Sequence, residues 1–128
     1  MTSERIDLSD LMCRAERLLS HVWMVRTFLK HSPETEDDVE VSQIHRALYD
    51  VMLALGPSAA AGDYDSYFRL LKKKFRRLRE ATESWRQLQP EVSSHMNFRM
   101  SVESLTAAVA ELEQLLSRVD AAGGSEES

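Results

Sequence analysis

The segment Val51-Met-Leu-Ala-Leu-Gly56-Pro57-Ser-Ala-Ala-Ala-Gly62-Asp63 decides how this chain folds. It joins the longest apolar run, Val51–Leu55, to the densest group of helix breakers in the sequence. Glycine tolerates a left-handed cap and proline cannot continue a helix, so Gly56-Pro57 predicts a helix stop. Asp63 can then cap a new helix. The other breakers stand at Pro33, Pro90 and Gly123-Gly124. Four uninterrupted segments result, rods of roughly 30–45 Å at 1.5 Å per residue. Asp7 and Asp10 flank the first segment. Ser32-Pro33, followed by Thr35-Glu-Asp-Asp38, opens the second, and Pro90-Glu91 can start the fourth.

Apolar residues within the segments recur at helical spacing. Leu8, Leu11, Met12, Ala15, Leu18, Leu19, Val22, Val25 and Leu29 make the first stripe, and Val41, Ile44, Leu48, Val51, Met52 and Leu55 the second. The third combines Tyr64, Tyr67, Phe68, Leu71, Phe75, Leu78, Ala81, Trp85 and Leu88. The fourth combines Phe98, Val102, Leu105, Ala108, Val109, Leu112, Leu115, Leu116 and Val119. Short links between such helices favour antiparallel neighbours, which predicts an all-α, up-down-up-down four-helix bundle over residues 1–122. The tail 123–128 has nothing to bury and is expected to be disordered.

Composition agrees. The chain has 128 residues, enough for one ordinary core, and only 4 glycines and 3 prolines, too few for a loop-rich β fold. One cysteine, Cys13, rules out a disulfide framework or a four-thiolate metal site. No apolar run is long enough to span a membrane, so a cytoplasmic protein is expected. The net charge is −5, yet Arg69–Arg79 carries seven positive charges. That stretch suggests an anionic partner, but its aromatics fall on the core stripe. Glu103, Glu111 and Glu113 stand at the height to neutralise it, so nucleic acid is not the expected ligand.

Function is sought where the stripes are broken. His21, Arg26, His45 and His95 sit on or beside the stripes, and residue counting puts them with His31 within about 15 Å of one bundle end. Converging, they would form a small polar site. No Glu-x-x-His or His-Glu-x-x-His spacing occurs, and neither a metal nor a cofactor is expected. The helical outline resembles the small HEPN ribonucleases, in which an arginine is followed after four to six residues by a histidine. Arg26-Thr-Phe-Leu-Lys-His31 and Arg14-Ala-Glu-Arg-Leu-Leu-Ser-His21 have that spacing. The resemblance would imply a histidine moving a proton and an arginine steadying phosphate charge. The family favours Asn, Asp or His after the arginine, where this chain has Thr27 and Ala15.

A second irregularity is apolar. Trp23, Met24 and Phe28 on the first helix, with Tyr49 and Leu53 on the second, lie off their stripes, as do Met96 and Met100 on the fourth. Grouped apolar residues on a wet face mark an interaction surface. The main expectation is therefore a non-catalytic bundle acting through protein contact, as a homodimer or with another chain. The alternative is a small-site protein, HEPN-like or metal-binding, using its histidine-rich end.

Overall fold

The structure is a computed structural model that describes residues 7–127, with side chains through residue 122. The tail expected over 123–128 lies outside the residues described with side chains. Four α-helices are present: α1 (Leu8–His31), α2 (Val39–Ala61), α3 (Tyr64–Val92) and α4 (Met96–Glu127). A single 3₁₀ turn, Pro33–Thr35, links α1 to α2. Each helix packs on its neighbours in sequence and α4 closes the ring against α1, while the diagonal pair α1 and α3 touches far less. This is the four-helix bundle that the stripes predict, and no strand occurs among the described residues. No helix among them is long and apolar enough to cross a membrane.

One contiguous core runs through the bundle. Leu11, Ala15, Val22, Leu48, Val51, Leu71, Leu78, Leu105 and Leu112 are all at or below 2% exposure, so the periodicity selects the right face of every helix. The buried polar residues Ser32, Thr35, Thr82, Gln89 and Ser101 each have a hydrogen-bond partner. The Trp85 indole N–H donates to Ser101 Oγ at 2.9 Å, and that hydroxyl donates to the Phe98 carbonyl at 2.6 Å. In the link after α1, buried Thr35 Oγ1 lies 2.8 Å from the Leu29 carbonyl, and Ser32 Oγ donates to the Phe28 carbonyl at 2.6 Å. These bonds close the last turn of α1 and fix the direction in which the chain leaves it.

The helix ends follow the expected acids more closely than the expected prolines. Asp7 caps α1 by accepting from the Ser9 and Asp10 amides, and Asp63 caps α3 by accepting from Ser66 N–H. Pro33 opens the 3₁₀ turn rather than α2, whose cap is Asp38. Gly56-Pro57 does not stop α2, which runs on to Ala61. Pro57 is exposed and removes a single helical hydrogen bond, freeing the Leu53 carbonyl four residues back. Ala59-Ala-Ala61 then favours the helix, and Gly62, at φ 66°, ends it. Pro90 likewise lies inside α3 and does not begin α4. Gln89 and Ser93 end α3 through two bonds: the Ser93 amide donates to the Gln89 carbonyl at 3.1 Å, and Gln89 Nε2 donates to the Ser93 carbonyl at 2.7 Å.

The two glycines of this stretch make opposite demands. A Cβ at Gly56 meets nothing within 4 Å in a helical backbone, so Gly56→Ala is expected to stabilise by about 0.5–1 kcal/mol. Gly62→Ala places a side chain in the left-handed region and is expected to destabilise by about 1–2 kcal/mol. Urea midpoints shifting in opposite directions would bear this out. A shift of one sign for both would mean that Gly62 does not set the end of α2.

Candidate functional site

Arg26 interrupts the α1 stripe on the side facing α2, and the helical repeat sets Trp23 and Lys30 beside it. From α2 come His45, Arg46 and Tyr49. The Arg26 guanidinium carbon lies 4.8 Å from the Trp23 ring centroid and 4.6 Å from that of Tyr49. The two rings stand 6.1 Å apart at 41° to one another, so the cation is held by a face from each helix. Stacking of this kind suits a planar guanidinium, which is weakly hydrated and attracted by the ring quadrupoles. The Arg26 Nε–H is buried and has no hydrogen-bond partner.

His45 stands in the same seam, partly buried. Burial first, then the positive charges of Arg26, Lys30, Arg46 and His31, hold its pKa below the ordinary histidine value. The sign of the pH effect follows. As pH falls below about 6.5 the unfolded chain takes up a proton that the folded chain refuses, so stability declines on acidification until folded His45 also titrates. His45→Gln should remove that part of the acid-side decline, measured by urea unfolding between about pH 5 and pH 7. An unchanged slope would mean that His45 binds its proton equally in both states.

The remaining histidines are placed elsewhere. His21 Nδ1 lies 3.0 Å from Ser104 Oγ, bridging α1 to α4. His95 caps α4, with its Nδ1 accepting from the Asn97 amide at 3.0 Å. His31 Nδ1 donates to the Thr27 carbonyl at 3.0 Å, and His31 and His95 border a groove of about 560 Å³ with Met24, Phe28 and Phe98. Thus His21, Arg26, His45 and His95 share one half of the bundle but do not converge. Arg26 and His45 face the α1–α2 seam, whereas His21 and His95 belong to the α1–α4 side. The Arg26…His31 spacing does not become a shared site, because the two side chains border different cavities. Among the described residues, no group of three or more His, Cys, Asp or Glu side chains is placed to hold a metal ion. Cys13 is exposed and free.

The apolar irregularity divides in the same way. Trp23 and Tyr49 meet across the α1–α2 seam, while Met24 and Phe28 line the groove beside α4. Phe28 turns inward, edge-on to Phe98 at 4.9 Å, and so extends the core. Met24 and Leu53 are more than 60% exposed, and Trp23 is 39% exposed despite its stacking. Met96 and Met100 are also exposed on the first turns of α4.

The basic stretch of α3 is largely neutralised. Lys72 pairs with Asp120, Arg76 with Glu80, Arg77 with Asp50 and Arg79 with Glu113. Glu113 is the expected partner. Glu103 and Glu111 form no ion pair among the described residues, and Asp50 and Asp120 act in their place. All four pairs are solvent-exposed, so they set surface charge more than stability. Sequence reading missed the grouping of Lys30 and Arg46 with the stacked Arg26. The i, i+3 spacing of Trp23 and Arg26 was its only local sign.

Comparison of the chain with protein-family models, with curated proteins and with solved structures finds no match.

Proposed function

We propose that this protein is a non-catalytic helical bundle that works through protein contact, pairing with a second copy of itself through the α1 face around Trp23 and Met24. The observation that carries this reading is the exposed Trp23, locked by Arg26 and Tyr49 rather than free to fold back onto the bundle. A rigid aromatic loses little freedom on binding, and such residues anchor the centres of interfaces. Met24 and Leu53 add apolar surface on either side, with the polarisable thioether of Met24 able to adapt to a partner. The separation of the histidines supports a non-catalytic reading. The single exposed, free cysteine fits a protein working in the reducing cytoplasm.

A two-fold axis near the end of α1 would lay Trp23 of one copy beside its equivalent. Sedimentation equilibrium of the wild type should give a dimer at micromolar concentration. Trp23→Ala should weaken pairing by about tenfold or more, with helicity unchanged because the side chain is outside the core. A wild-type monomer at high micromolar concentration would overturn the proposal. So would an alanine variant that pairs as well as its parent.

A further inference from the structure

We propose that the seam between α1 and α2 holds a phosphoryl-binding site made by Arg26, Lys30, His45, Arg46 and Tyr49. These five residues line a surface cavity of about 270 Å³. Three are cationic, one is an imidazole and one a phenol. No carboxylate joins them, in a chain where acids outnumber bases by 21 to 16.

The three cations also differ from the paired residues of the α3 basic stretch. Four of the seven positive charges between Arg69 and Arg79 have carboxylate partners. Arg26, Lys30 and Arg46 form no ion pair and donate no side-chain hydrogen bond to any described residue. Arg46 borders the acidic turn Glu36-Asp-Asp38 on its other side, yet none of those carboxylates comes within ion-pair distance. Like charges gathered from two helices without a counterion repel one another, and that cost is recovered when an anion enters.

The donors select the anion. A carboxylate carries one charge on two oxygens, which a single guanidinium can engage bidentately. Two guanidiniums, an ammonium, an imidazole and a phenol offer more donors and charge than a carboxylate can use. A phosphoryl group, with three terminal oxygens and a charge of about −1.5 to −2, matches them. The contact of Arg26 with the Trp23 and Tyr49 rings restrains it in advance, which reduces the entropy lost on binding. A cavity of about 270 Å³, bordered by exposed Lys30 and Arg46, is large enough to admit the phosphoryl group. Burial first, then the neighbouring cations, lower the His45 pKa, and a bound dianion would oppose the cations' part and favour the protonated imidazole. The charged and titratable groups beside His45 in this exchange are Arg26 and Lys30 from α1 and Arg46 and Tyr49 from its own helix, with a smaller effect from the more distant His31.

The test is a titration of the isotope-labelled full chain with inorganic phosphate and with phenyl phosphate, at neutral pH and constant ionic strength. The His45 ring and Trp23 indole resonances should shift together and saturate with a dissociation constant of about 1 mM or below, while buried Trp85 stays still. Lys30→Gln and Arg46→Gln, both at exposed positions, should each weaken binding by about fivefold to tenfold. Tighter binding of phenyl phosphate would assign the site to phosphate esters, and equal affinity would assign it to the free anion. No saturable shift up to about 20 mM phosphate would overturn the proposal. Saturation by acetate at equal affinity would do the same, as would unchanged affinity in both variants. The site does not depend on self-pairing: both variants keep Trp23 and Met24, so phosphate binding and dimerisation are lost or kept separately.

Discussion

Trp85→Ala should lower the unfolding free energy by about 3–5 kcal/mol, the largest loss expected of any single substitution in this chain. Trp85 is fully buried and heads the side chains with under 2% exposure. It packs from α3 toward α4, with the Phe98 ring 6.3 Å from its own. Truncation removes the apolar contacts of an indole and leaves a cavity that helices pinned on three sides cannot close. The lost hydrogen bond is the lesser part. Ser101 Oγ still donates to the Phe98 carbonyl when its indole donor is gone, so no buried hydroxyl is stranded. Ser101→Ala removes the acceptor of the buried Trp85 indole N–H and should cost about 1–3 kcal/mol. A domain of this size has about 5–15 kcal/mol in total, so the Trp85 variant should melt far below the wild type, with the same denaturant m-value. A loss under about 1.5 kcal/mol would mean that the bundle repacks around the gap.

The second large effect is alkaline. Tyr67 is fully buried, and its hydroxyl donates to Glu16 Oε2 at 2.6 Å, tying α3 to α1 across the bundle diagonal. Burial first, then the hydrogen bond and the negative charge of Glu16, push the phenol well above its ordinary pKa near 10. Above pH 10 the unfolded chain releases this proton while the folded chain keeps it, so each further pH unit should cost about 1.4 kcal/mol of stability. Tyr67→Phe keeps the ring against Phe68, whose centroid lies 5.1 Å away, and removes the titrating hydroxyl. The variant should begin slightly less stable at neutral pH and become the more stable protein between about pH 10 and 11.5. Parallel stability curves over that range would show that Tyr67 ionises as readily folded as unfolded.

The bundle could be read in the sequence because burial in helices is periodic, and each of the four stripes had enough large apolar residues to fix its phase. The helix ends were less legible. A proline costs a helix one hydrogen bond when the freed carbonyl can reach water, and exposed Pro57 and Pro90 both sit within two turns of a helix end. Exposure of that kind depends on how neighbouring helices are arranged, which local spacing does not reveal. The candidate site was half visible for a related reason. Counting residues placed His21, Arg26, His45 and His95 in the same half of the bundle, and height is what rise per residue measures. Direction around the helix decided the outcome, sending Arg26 toward α2 and His21 toward α4. Tyr49 became the partner of Arg26 only through the register of α1 against α2, and no sequence interval records that register.

The two tryptophans occupy opposite environments, and this gives the protein a built-in optical reading of two separate events. Trp85, enclosed and hydrogen-bonded to Ser101, should emit from its dry setting at the shorter wavelength. Trp23, 39% exposed and lying against a guanidinium, should emit at the longer wavelength and be open to collision with a soluble quencher. Shielding of the red component alone therefore reports coverage of the α1 surface. A red shift of the blue component reports loss of the core.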